Sequence, residues 1–134
     1  MASPVRVPLC PCGSGSEYAH CCGRFHAGAQ PAQAVQLMRA RYSAYVLRDE
    51  AYLQRTWHPQ TRPLSAVLES GDGIKWLGLD VCSQSQHDDQ ATVEFVARYK
   101  LGGRARRLHE ISHFVRIDGC WLYLDGGYSP AADA

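Results

Sequence analysis

Residues 91–125 read ATVEFVARYKLGGRARRLHEISHFVRIDGCWLYLD, and their period of two decides the fold. Val93, Phe95, Ala97 and Tyr99 alternate with Glu94, Val96, Arg98 and Lys100, the pattern of a strand with one face turned to a core. The next run alternates less cleanly. It puts Leu108, Glu110, Ser112 and Phe114 on one side and His109, Ile111, His113, Val115 and Ile117 on the other. Gly102-Gly103 and Asp118-Gly119 are hairpin turns. Strands are therefore predicted over residues 91–101, 106–117 and 120–125, with another over 74–83 ahead of the His87-Asp88-Asp89 turn.

Upstream the period lengthens. Pro31 suits a helix opening, and from residue 32 to Arg48 the apolar residues recur at helical spacing, so that Leu37, Met38, Tyr42 and Tyr45 share a face. A second helix is predicted from Asp49 through Trp57, ended by His58-Pro59, because a residue before proline avoids the helical region. Residues 61–69 are assigned a third, short helix, and residues 23–31, GRFHAGAQP, read as a linker. Helices first and a meander of strands afterwards make an α+β domain with the helices over one face of the sheet.

The chain has 134 residues, enough for one domain with a real core. Its 46% hydrophobic and 20% charged composition, with 14 Lys+Arg against 13 Asp+Glu, excludes a disordered chain, a fibre and a strongly basic packaging protein. No stretch of about 18 apolar residues offers a membrane span. Residues 1–17, MASPVRVPLCPCGSGSE, lack the apolar run of a secretory leader, so a cytoplasmic setting is expected.

Six cysteines stand at 10, 12, 21, 22, 82 and 120. A disulfide framework would spread them more evenly, and a reducing compartment would keep them as thiols. Four fall within thirteen residues, in the spacing C-x-C-x8-C-C. Gly13 and Gly15 give the chain the freedom to turn both halves toward one ion, and Pro11 restricts the first pair beforehand. Four sulfurs at about 2.3 Å in a tetrahedron are what structural zinc requires. Cys21 and Cys22 are neighbours, so His20 or His26 could replace one of them; an iron–sulfur centre and a free redox dithiol are the other uses of such a group. Four thiolates leave no open position for water, which makes the site structural rather than catalytic. Cys82 and Cys120 lie in strand runs and read as small buried hydrophobes, while Trp121 and Tyr123 share a face and supply core or pocket wall.

CPCGSG at 10–15 followed by YAHCCG at 18–23 resembles the SEC-C motif, the zinc knuckle at the C-terminus of the SecA translocation ATPase. LMRARYSAYVLRD (37–49), LQRTWHPQTRP (53–63), VEFVARYK (93–100) and HEISHFVRIDGCWLYLDGG (109–127) together resemble the YchJ family, UPF0225. The resemblance implies an NTF2-like domain, a curved antiparallel sheet wrapped by helices into a cone. It also implies one zinc ion on Cys10, Cys12, Cys21 and Cys22, with Cys22 at a position that is cysteine or histidine in the motif. The units expected are a SEC-C knuckle and linker over 1–30, an NTF2-like domain over 31–128 and a disordered tail over 129–134.

A cone can enclose a ligand. Arg41 paired with Glu110, with His58 nearby, would form an acid–base site, and Tyr42, Trp57 and Ser112 complete the candidate pocket. The bland alternative has Arg41 and Glu110 satisfying each other while His58 caps a helix. His109 and His113 on one strand face are a weak metal pair. Arg98, Lys100, Arg104, Arg106 and Arg107 form a basic hairpin that could meet phosphate or an acidic partner, although near-zero net charge argues against a dedicated nucleic-acid binder. The first expectation is a cytoplasmic adaptor whose knuckle docks on a protein, by analogy with the SecA knuckle, which binds the chaperone SecB. The alternatives are a small enzyme or ligand carrier using the cone, and a nucleic-acid binder using the hairpin. Either a monomer or a dimer through the exposed sheet face fits. An adaptor predicts a shallow or fully filled cone; an enzyme predicts an open pocket with at least two converging ionisable groups.

Overall fold

Two tight turns set the sheet. Gly102 and Gly103 both take positive φ (60° and 76°), as do Asp118 and Gly119 (52° and 79°). Two successive left-handed residues make the turn whose twist matches antiparallel strands. The computed structural model describes residues 8–128, so the tail expected over 129–134 lies outside the described residues. Strands β1 (Lys75–His87), β2 (Gln90–Leu101), β3 (Arg104–Ile117) and β4 (Cys120–Tyr128) form one antiparallel meander in the order β1-β2-β3-β4. The strands run longer than the alternation suggested, because backbone pairing continues up to each turn, as at Leu101↔Arg104.

Ahead of the sheet come a one-turn 3-10 helix (Tyr18–His20) and helices α1 (Cys22–His26), α2 (Ala34–Leu47) and α3 (Glu50–Arg55). Helix α2 opens where the Gln36 side chain reaches back to accept from the Gln33 and Ala32 amides. It closes at Arg48, which takes a left-handed φ of 59°. Asp49 then caps α3 by accepting from the Tyr52 amide at 3.1 Å. No described helix is long and apolar enough to cross a membrane.

Two local expectations are corrected. Residues 23–31 are not all linker: α1 occupies the start, and Phe25 is buried in the core. Residues 61–69 form no helix. Their amides are drawn instead to Glu50, whose carboxylate accepts from Val67 and Leu68 at 2.9 and 2.8 Å.

The inner face of the sheet carries Val93, Ala97 and Phe114, which pack with Leu37, Met38 and Ala40 of α2 and Leu53 of α3. Cys10, Cys12, Cys22 and Phe25 belong to the same core. The knuckle is thus built onto α2. After α3 the chain pairs with β4: the His58 amide donates to the Tyr123 carbonyl and the Tyr123 amide to the Thr56 carbonyl, both at 2.8 Å. A register shift between His113 and Phe114 lets Tyr123 lie opposite Phe114.

Candidate functional site

The C-x-C turn and the start of α1 bring four sulfurs together. Cys10, Cys12, Cys21 and Cys22 place their Sγ atoms within 4.8 Å of one another, and Cys12 and Cys21 are 3.6 Å apart. A tetrahedron with arms of about 2.3 Å has edges of about 3.8 Å, so the group fits one metal ion. All six cysteines of the chain are free thiols. Gly13 and Gly15 both adopt left-handed φ (80° and 85°), which is how the loop returns on itself.

Neither histidine competes for the site. The His26 Nε2–H donates to the Ala40 carbonyl at 2.8 Å, which leaves Nδ1 to accept from the Tyr18 hydroxyl at 2.6 Å. His20 is exposed and faces Glu17. Hydroxyls support the sulfurs: Ser43 lies 3.5 Å from Cys10 and Ser14 3.2 Å from Cys21. Without an ion, the Cys22 thiol donating to it pulls Cys12 down to about 4 against the opposing effect of burial; that same bond, with burial, pushes Cys22 up. One shared negative charge is therefore already favoured in this group.

The second feature is a cavity of about 200 Å³ between α2 and the inner face of the sheet. Helix α2 contributes Arg41, Tyr42 and Tyr45 at one-turn spacing; β3 and β4 contribute Glu110, Ser112 and Tyr123; and Trp76, Phe95 and Phe114 close the walls. Arg41 is only 5% exposed. Its Nη1 donates to the Leu53 carbonyl at 3.0 Å and to Thr56 Oγ1 at 2.7 Å, and its guanidinium lies 4.5 Å from the Tyr123 ring centre. Burial pulls its pKa down, opposed by the surrounding tyrosines and Glu110. Burial likewise raises Tyr42, Tyr45 and Tyr123, which stay neutral donors. Ser112 donates to Glu110.

Of the pocket residues read from the sequence, Arg41, Tyr42, Glu110 and Ser112 line this cavity; Trp57 and His58 do not. His58 is diverted by its backbone pairing with Tyr123, and its Nδ1 accepts from the Gln60 amide. Trp57 stands behind Tyr123, ring centres 4.9 Å apart. No Arg41–Glu110 ion pair forms among the described residues. Trp76 and Phe95 were missed as pocket walls, although Trp76 heads a strand run and Phe95 belongs to the inward set.

Three lesser expectations also change. Cys82 is exposed at a register shift between Val81 and Ser83, and Cys120 is only half-buried at the start of β4. His109 and His113 do not share a partner: His109 meets Glu94 and His113 meets Asp125, each at 2.6 Å across neighbouring strands. In the basic hairpin, Arg98 is tied to Asp80, whereas Lys100, Arg104, Arg106 and Arg107 are exposed.

A cysteine knuckle seated on an NTF2-like domain is the class these features define. The family model for the YchJ middle NTF2-like domain matches residues 33–126, and the SEC-C motif model matches residues 9–24. A UPF0225 protein from Ralstonia nicotianae is 57% identical, covering 94% of this chain and 95% of its own. Another, from Bordetella parapertussis, is 54% identical over 94% of this chain and 98% of its own. The solution structure of a SEC-C motif containing protein from Rhodopseudomonas palustris superposes with a TM-score of 0.80 at 34% identity, covering 90% of this chain and 98% of that one. The crystal structure of a Psychrobacter arcticus SEC-C motif containing protein gives 0.74 at 28% identity, covering 90% and 82%. The chain belongs to the UPF0225/YchJ family.

Proposed function

We propose that this protein binds a small ligand in the NTF2-like cavity, and that a zinc ion on Cys10, Cys12, Cys21 and Cys22 braces the helix forming its floor. The observation that carries this reading is Arg41: a buried cation inside an open cavity, without a carboxylate partner among the described residues. A buried charge left unpaired is costly, and a site retains one where a ligand supplies the counter-group. The ionisable partner on the opposite wall is Glu110. An adaptor would have a shallow or fully filled cone.

The knuckle supports the brace role better than a docking role. Cys10, Cys12 and Cys22 are buried against the domain, and Arg39 of α2 donates to the Cys12 carbonyl at 3.0 Å. Zinc suits the donor set, since closed four-thiolate tetrahedra hold it without an exchangeable position. The division near residue 30 and a reducing, cytoplasmic location belong to the same proposal. The test is a titration of the metal-loaded full chain with a small-molecule fragment library, followed by amide and aromatic NMR shifts. Shifts clustered on Tyr45, Trp76 and Tyr123, and lost in Ala97→Leu, which fills the cavity, are expected. A library that leaves these residues unmoved overturns the reading.

A further inference from the structure

The cavity places two opposite charges on facing walls without joining them. Arg41 comes from α2 and Glu110 from β3, and both line the same space. The bonds from Arg41 to Leu53 and Thr56 both leave from Nη1, and the Tyr45 hydroxyl is a further polar neighbour, so the five-donor guanidinium fork keeps N–H groups for an acceptor in the cavity. Glu110 accepts from Ser112 and keeps further lone pairs. A plain anion would satisfy Arg41 and be repelled by Glu110; a plain amine would do the reverse. A neutral ligand would leave both groups unanswered in an aromatic enclosure.

A second observation concerns the approach. Ala97 and Leu108 pair across β2 and β3 on the inner face and line the cavity. The next inward pair is Tyr99↔Arg106, and the one after it Leu101↔Arg104. At about 3.4 Å per residue, Arg106 lies about 7 Å beyond Leu108 along the same face. Arg104 and Arg106 are exposed and form no ion pair among the described residues. Tyr99 touches the pocket residue Trp76, ring centres 5.5 Å apart, which joins this basic strip to the cavity. Such a strip raises the local concentration of ligands bearing an anionic group.

We propose that the cavity binds a small amino-carboxylate, its carboxylate held by Arg41, its ammonium by Glu110 and its apolar body by the aromatic walls, entering past Arg106. This rests on the reading of the cavity as a ligand site. At about 200 Å³ the space is below the roughly 300–1,000 Å³ of drug-sized clefts, which suits a single small metabolite. The planar guanidinium is the side chain best matched to a carboxylate.

Calorimetry on the zinc-loaded full chain tests it with two matched probe sets. One is phenylalanine, 3-phenylpropanoate, phenethylamine and 3-phenylpropanol; the other is leucine, 4-methylpentanoate, isopentylamine and 4-methylpentanol. In at least one set the amino acid should bind at least fivefold more tightly than each of its three analogues, and Glu110→Gln should reduce that advantage over the carboxylate analogue to less than twofold. If an analogue binds within fivefold of the amino acid in both sets, or the advantage survives Glu110→Gln, the amino-carboxylate assignment is overturned while the cavity remains a ligand site. If none of the eight probes binds, the amino-carboxylate assignment falls; if the fragment library also leaves the cavity unmoved, both readings fall.

Discussion

Cys10 and Ser43 meet where the knuckle touches α2, the sulfur 3.5 Å from a hydroxyl that is wholly buried. Ser43 sits between Tyr42 and Ala44 in the helix that also presents Arg41, Tyr42 and Tyr45 to the cavity. One helix therefore carries a contact to the cysteine group on one face and cavity-lining groups on another. The cysteine group and the cavity are linked by one helix over a few residues.

Replacing Cys12 with serine removes a thiol that is 0% exposed and shares the domain core. We expect loss of the metal and a stability decrease of about 3 kcal/mol or more, which for a chain of this size lowers the melting temperature by roughly 10 °C. Thermal unfolding with parallel metal analysis checks this. An unchanged melting temperature together with lost metal would show that the knuckle is not a brace.

Ser43→Ala keeps the fold and deletes the hydroxyl beside Cys10. Support of this kind commonly changes metal affinity by about tenfold or more. Competition with a chelator should show a weakening of that order, with thermal stability of the loaded protein falling by only about 1 kcal/mol.

At Gly126 an added Cβ would lie 2.5 Å from Glu110 Oε2 and 2.8 Å from the Tyr123 hydroxyl. Gly126→Ala must displace both pocket groups, with an overpacking cost of about 1–3 kcal/mol. Urea unfolding measures the cost, and NMR shifts of Tyr123 report the displacement. A neutral substitution would mean that the two side chains yield freely.

Glu50 holds the 65–69 segment through the amides of Leu68 and Val67, and those bonds lower its pKa. The stabilisation is therefore fully present above the ordinary glutamate value of about 4.3 and is lost as pH falls through the lower folded value. The Val67 and Leu68 amide shifts should titrate with a midpoint below 4.3. Glu50→Gln should abolish that titration.

The sheet was legible because the alternation from Val93 to Tyr99 and the turns at Gly102-Gly103 and Asp118-Gly119 act locally. The four cysteine positions were legible because Gly13 and Gly15 sit between closely spaced thiols. What remained hidden depended on partners distant in sequence. Residues 61–69 read as helical because nothing nearby announces that Glu50 captures their amides. Phe25 reads as linker because it stands in a short stretch rich in glycine, alanine and proline, yet it is buried with the cysteines in the core shared with α2 and α3. His58 reads as a pocket residue from its place beside Trp57, but backbone pairing with Tyr123 takes it elsewhere. Arg41 and Glu110 were identified as pocket candidates; that they face the cavity without bridging is a matter of tertiary distance, which no spacing encodes.

The most direct test of the account is ligand binding measured before and after the metal is removed. Aromatic NMR shifts of Trp76 and Tyr123 should follow a fragment titration of the zinc-loaded chain, and chelation should weaken that binding at least tenfold while the sheet stays paired. Pocket affinity unchanged by complete removal of the metal would contradict the claim that the knuckle braces α2 for ligand binding.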